Sequence, residues 1–160
     1  MTIAIDTNIL FDILLPDPEF KEPSFNLLID ASRRHKLIVS GIVYAELASQ
    51  FEEQELLDSF LCDYKIFVKN TTSEGLWEAS RAWNNYINNR NRKLQCSNCG
   101  HLQSSQCEEC GQIIKSRQHI IPDFIIGGHA LELAEKLITR DRGFYEDYFP
   151  KLEVLYYTGK

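Results

Sequence analysis

Ile3-Ala4-Ile5-Asp6-Thr7-Asn8-Ile9-Leu10 is the stretch whose reading decides the fold. Its apolar, β-branched opening reads as a buried strand. The run stops at Asp6, Thr7 and Asn8, short polar residues that favour turns and helix N-caps. Apolar residues then return at Ile9, Leu10, Ile13 and Leu14 with helical spacing. The stretch is therefore strand, polar corner, helix. In a parallel α/β sheet such a corner lies at the carboxyl end of a strand, where these folds place their sites. Two roles are open to Asp6 at this point: capping the helix, or holding a cation from a rigid strand end.

The same grammar continues along the chain. Leu37-Ile38-Val39 is a second strand, broken by Ser40-Gly41 with Ser40 as a helix cap, and Tyr64-Lys65-Ile66-Phe67-Val68 is a third. Leu137-Ile138-Thr139 is a fourth, running into Arg140-Asp141-Arg142-Gly143-Phe144, and Leu152 to Tyr157 is the last. Helical patterns separate them: Phe20 to about His35, a face of Val43, Leu47 and Phe51, and Phe51 to Leu61. A further helix opens at the capping box Thr71-Thr72-Ser73-Glu74, with a stripe of Leu76, Ala79, Trp83, Tyr86 and Ile87. After His119-Ile120-Ile121, Pro122 suits the first helical position and sets Asp123 in the first turn. Gly127-Gly128 inside this helix costs about 1 kcal/mol each relative to Ala, which predicts close backbone packing. Alternation of strands and helices predicts an α/β fold, a parallel sheet flanked by helices on both faces.

The 160 residues suit one domain. Seventeen Lys and Arg against 23 Asp and Glu give a net charge of −6, which argues against a broad phosphate-binding surface but not against a small site reaching phosphate through metal ions. No uncharged apolar run approaches the ~18 residues of a membrane span. The N-terminus has no basic segment, so the expectation is a cytoplasmic protein without a signal peptide.

Residues 94–115 differ in composition, being rich in Cys, Gly and Ser. They are read as an insertion between two parts of the main domain, 1–93 and 116–160. Cys96-Ser-Asn-Cys99-Gly100 and Cys107-Glu-Glu-Cys110-Gly111 have the spacing of zinc knuckles, predicting a structural Zn²⁺ held by Cys96, Cys99, Cys107 and Cys110. Two purposes are open: a clip that closes a surface loop, or an arm that contacts RNA or a partner, aided by Arg90, Arg92, Lys93, Lys115 and Arg117. Cys62 is expected as a small buried hydrophobe, and His129 as a packed or hydrogen-bonded histidine.

Four carboxylates stand out. Asp6 and Asp141 both follow strands, Asp123 opens a helix, and Glu46 borders the apolar face of Leu47. Brought to one sheet edge they would repel one another unless hard divalent cations neutralised them. Such a site can activate water and stabilise a phosphate in flight.

The segments Ile5-Asp6-Thr7-Asn8-Ile9-Leu10, Tyr44-Ala45-Glu46-Leu47, Pro122-Asp123-Phe124-Ile125-Ile126 and Thr139-Arg140-Asp141-Arg142-Gly143-Phe144 resemble those of the PIN-domain ribonucleases, most closely the VapC-type toxins of toxin–antitoxin pairs. The resemblance covers everything except the Cys-rich insertion. It implies a PIN-like fold with Asp6, Glu46, Asp123 and Asp141 binding Mg²⁺ or Mn²⁺, and Asn8 and Thr139 supporting them by hydrogen bonds. It further implies endonucleolytic cleavage of RNA, a homodimer and a cognate antitoxin. The insertion is not part of the usual toxin domain. An RNA-processing or ribosome-maturation PIN nuclease is therefore the alternative, as is a catalytically silent binding module using the zinc arm. A silent module has no need to bear four repelling carboxylates. A phosphoacceptor receiver domain would need a lysine after a different strand, and no P-loop or dinucleotide fingerprint occurs.

Overall fold

A computed structural model describes residues 1–15, 17–89, 93–96, 98–112 and 119–156. The chain runs β1 (Thr2–Ile5), α1 (Thr7–Leu14), α2 (Lys21–Arg34), β2 (Lys36–Ser40), α3 (Gly41–Ala48), α4 (Gln54–Asp63), β3 (Ile66–Lys69) and α5 (Ser73–Asn89). It continues through β4 (Leu94–Gln95), β5 (Leu102–Gln103), α6 (Ile121–Leu133), β6 (Lys136–Ile138), α7 (Arg142–Tyr148) and β7 (Glu153–Leu155). Five strands form one parallel sheet in the order β3-β2-β1-β6-β7, flanked by helices as expected.

β1 lies at the centre. Ile3, Ala4 and Ile5 pair with Lys136, Leu137 and Ile138 on one side, while Ile3 and Ala4 pair with Leu37 and Ile38 on the other. Strands covered on both faces must be apolar throughout, which is why β1 and β2 are short apolar runs. The edge strand β3 differs: only Ile66 is buried. The chain leaves β1 toward β2 and β3, then returns to lay β6 on the opposite side. The carboxyl ends of β1 and β6 therefore flank the point where strand order reverses, the usual crevice of open α/β sheets.

α6 fixes that crevice. Phe124, Ile126, Gly127, Gly128, His129 and Ala130 are all buried on it. A Cβ on Gly128 would stand 2.1 Å from the Gly75 carbonyl oxygen of α5, and one on Gly127 would stand 2.3 Å from the Phe149 ring. The close packing expected of this glycine pair is thus present. His129 is buried and lies 3.3 Å from the Thr71 hydroxyl through Nδ1, as a packed histidine.

Three local expectations are corrected. The inward face of α5 is Gly75, Ala79, Ala82 and Tyr86, while Leu76 and Ile87 stand 47% and 41% exposed, because α5 meets α6 through its smallest residues. Its cap is Thr72 rather than Thr71, accepting from the Gly75 N–H at 3.0 Å. Cys62 is exposed, not buried, since α4 turns Leu57 and Leu61 inward instead. No helix among the described residues is long and apolar enough to cross a membrane.

The insertion forms a separate antiparallel pair, Leu94 with Gln103 and Gln95 with Leu102. Arg90, Arg92, Lys115 and Arg117, offered above as cations of an arm, lie outside the described residues, whereas Lys93 is exposed.

Candidate active site

Asp6 leaves β1 and caps α1, its Oδ1 accepting from the Thr7 N–H at 2.7 Å. Its Oδ2 accepts from Asn8 Nδ2 at 2.8 Å, from the Thr139 hydroxyl at 2.6 Å and from the Tyr145 hydroxyl at 3.3 Å. The capping role expected for Asp6 is thus present on Oδ1, while Oδ2 joins the network at the strand ends. Thr139 is buried and also accepts from Asn8 Nδ2 and from the Asp141 N–H, each at 3.0 Å. Asn8 Oδ1 accepts from the Arg140 N–H at 3.2 Å. Asn8 and Thr139 therefore stitch the end of β1 to the end of β6.

Asp141 caps α7 and accepts from the Phe144 N–H at 3.2 Å. Asp123 sits in the first turn of α6 and accepts from the Ile120 N–H at 2.7 Å, where the helix dipole favours negative charge. Glu46 is one turn into α3 and accepts the Thr7 hydroxyl. Asp6, Asn8, Glu46, Asp123 and Asp141 line one cavity of about 250 Å³. Its apolar wall includes Phe11, Ile126 and Phe144.

Electrostatics mark this cavity. Burial pushes the Asp6 carboxyl up to about 7, with the charges of Asp123 and Asp141 adding to it against the bonds from Thr139 and Thr7. Burial pushes Asp141 up to about 6, again with Asp123 contributing. Asp123 rises through burial and the charge of Glu46. Carboxyls crowded into a low-dielectric crevice shed charge unless a cation shares it. The all-oxygen donor set fits a hard divalent ion, which takes few carboxylates and keeps several waters. Among the described residues no three His, Cys, Asp or Glu are already placed to hold one ion, the four cysteines included.

Three neighbours escaped the sequence reading. Thr7 and Tyr145 contact Glu46 and Asp6, and Tyr145 is one helical turn past Asp141, a spacing that carries a signal. His119 Nδ1 stands 3.9 Å from both Asp123 Oδ2 and Asp141 Oδ2. Burial pushes its imidazole down to about 4, so it is neutral. Nothing in the sequence pattern marks it.

The two cysteine pairs are built alike. The Gly100 N–H donates to the Cys96 carbonyl at 2.8 Å and the Gly111 N–H to the Cys107 carbonyl at 2.9 Å. Both glycines take left-handed φ values, 73° and 68°, that a β-carbon disfavours. Backbone N–H groups of Cys99 and Asn98 hold the Cys96 thiol below its ordinary value, and those of Cys110 and Glu109 do the same for Cys107.

Residues 3–149 match the model of the PIN domain. Among solved structures the chain is similar to VapBC2 from Rickettsia felis bound to a DNA fragment from their promoter, at 18% identity and a TM-score of 0.61, with 98% of each chain covered. It is similar to DNA-bound VapBC from Salmonella typhimurium at 15% identity and 0.58, again over 98% of each chain. FitAcB from Neisseria gonorrhoeae gives 15% and 0.56 over 96% of each. These likenesses establish the fold. Among curated proteins no match was found.

Proposed function

The chain belongs to the PIN domain family of nucleases, and from that premise we propose that it is a metal-dependent endoribonuclease, the toxin of a toxin–antitoxin pair. The observation that carries this reading is the convergence of Asp6, Glu46, Asp123 and Asp141 on one cavity at the carboxyl ends of β1 and β6. These four residues would hold Mg²⁺ or Mn²⁺. When bound, the ion lowers the pKa of a water and offsets phosphate charge. Asp6 is the fixed point of the site, because its two oxygens accept from four separate groups. Asn8 and Thr139 hold it in register with Asp141. Phe11, Ile126 and Phe144 restrict water on the apolar side.

The RNA substrate is proposed on the family resemblance; with a net charge of −6 the chain would need cations to approach such a polyanion. A cognate antitoxin and a homodimer are proposed on the resemblance to VapC-type toxins. A structural Zn²⁺ on Cys96, Cys99, Cys107 and Cys110 is proposed on the spacing of the two pairs and their matching turns.

The test is cleavage of a mixed RNA pool with Mn²⁺ or with EDTA, beside melting temperatures of wild type and Asp6→Asn. Activity should require Mn²⁺ and fall by orders of magnitude in the variant, which keeps its fold. Cleavage that persists in EDTA, or equal cleavage by the variant, rejects the metal-nuclease reading.

A further inference from the structure

Residues 139–141 join the end of β6 to the start of α7, and each of them is tied down through a side chain. The Thr139 hydroxyl donates to Asp6 Oδ2 at 2.6 Å, and the Asp141 N–H donates to the Thr139 hydroxyl at 3.0 Å. Between them the Arg140 N–H donates to Asn8 Oδ1 at 3.2 Å. The Arg140 side chain is held as well. Its Nη2 stands 3.1 Å from Asp12 Oδ1, and its guanidinium lies over the Phe20 ring, 4.4 Å from the centroid.

Asp12 is the buried member of this pair, 2% exposed on α1. A carboxylate so far from water needs both a cation and hydrogen bonds. Arg140 supplies the cation, and the Ser24 hydroxyl of α2 donates to Asp12 Oδ2 at 2.5 Å. Asp12 follows Asn8 by four residues, so both side chains leave one face of α1. α1 thus grips residue 140 twice, by its main chain through Asn8 and by its side chain through Asp12. Neither Asp12 nor Arg140 lines the acidic cavity. The pair reaches the cavity through the chain itself, since Arg140 is flanked by Thr139, which holds Asp6, and by Asp141.

We infer that Asp12 is a positioning residue of the acidic site: through the Arg140 guanidinium it fixes residues 139–141, and with them the placement of Asp141 against Asp6. The inference rests on the metal-dependent reading in one respect, that the cavity binds a hard divalent cation whose hold weakens when this segment loosens. A pair that only joined helix to sheet would lower stability and leave the geometry of the site alone.

The experiment uses the full chain and two measurements, neither of which needs RNA. Amide hydrogen exchange in EDTA reads the Arg140 and Asp141 N–H groups, and the paramagnetic resonance of free Mn²⁺ reads affinity for the ion. Wild type is compared with Asp12→Asn, Arg140→Gln and Arg140→Lys, and with Gly128→Ala at the α5–α6 crossing as a control for lost stability. In Asp12→Asn the amides of Arg140 and Asp141 should exchange faster than in wild type, by a larger factor than those of β1 and β2. Its Mn²⁺ affinity should fall by about tenfold or more, the scale of lost support around metal ligands. Arg140→Gln should behave alike, and Arg140→Lys, which keeps a cation for Asp12, should recover part of the loss. Gly128→Ala should lose stability and keep the wild-type affinity. If Asp12→Asn does not fold, the two Arg140 variants make the same test from the other partner. Exchange at residues 140 and 141 that rises no more than in β1 and β2 overturns the inference, as does wild-type Mn²⁺ affinity in Asp12→Asn and Arg140→Gln. A loss of affinity as large in Gly128→Ala overturns it too, because any destabilisation would then suffice. Absence of Mn²⁺ binding in every sample rejects the metal-nuclease reading, and the exchange rates then decide for or against the role of Asp12.

Discussion

Asp6 is held in an environment that opposes its own ionisation. Four donors surround it, yet burial outweighs them and pushes its carboxyl up from 3.8 to about 7. The folded value therefore lies above the unfolded one. The stabilising contribution belongs to the protonated form, is fully present below about pH 4, and is lost as pH rises through about 7. Metal-free wild type should lose stability relative to Asp6→Asn between about pH 4 and pH 7, by up to about 1.4 kcal/mol for each pH unit. Urea unfolding in EDTA at several pH values measures this, and parallel pH profiles for the two proteins would refute it. Mn²⁺ should shrink the difference by sharing the charge. Asp6 and Asp141 were legible in the sequence because each follows an apolar strand, and Glu46 because it borders an apolar face. Tyr145 showed only its helical spacing from Asp141 and His119 nothing, because their contacts with the carboxylates exist only once distant parts of the chain are packed together.

Where α5 crosses α6, two glycines replace side chains. Gly128 faces the Gly75 carbonyl, with a would-be Cβ at 2.1 Å, and Gly127 faces the Phe149 ring at 2.3 Å. The obstacles differ in kind: a main-chain carbonyl held in a helix, and the far end of a side chain. Gly128→Ala should destabilise by about 1–3 kcal/mol, the range for overpacking a filled interior. Gly127→Ala should cost less, since ring movement relieves part of the clash and Ala recovers helix propensity. Urea midpoints of the two variants check the ranking, and a larger loss for Gly127→Ala would reverse it. The need for tight packing was legible from the glycine pair alone. Which residues of α5 met it was legible in part: Ala79 and Tyr86 lie on the face read from the sequence, whereas the large Leu76 and Ile87 give way to Gly75 and Ala82 at so close a crossing. Periodicity ranks faces by hydrophobicity, while the distance between helices is set by size.

The molecule as a whole leaves Trp77 68% exposed beside Leu76 on α5, while Trp83 turns inward against Phe124, 5.2 Å between ring centroids. Trp83, in the apolar stripe read from the sequence, is largely spent on the core, and the exposed pair at the start of α5 remains for the proposed homodimer. Light scattering at micromolar concentration should report a dimer, and Trp77→Ala should shift it toward monomer; a monomeric wild type would discard the dimer. The parallel sheet was legible from alternating elements, but the placement of β6 beside β1 was not, because no local signal joins residues more than 130 positions apart. That separation has a consequence in time. β1 cannot complete its pairing until Ile138 has been made, and the cavity lacks a wall until Asp141 follows. At roughly 5–20 residues per second, the interval from Asp6 to Asp141 is on the order of ten seconds. Throughout it the nascent chain carries Asp6 without its partners Thr139, Tyr145 and Asp141, so the acidic cluster is assembled only after α7 has been made.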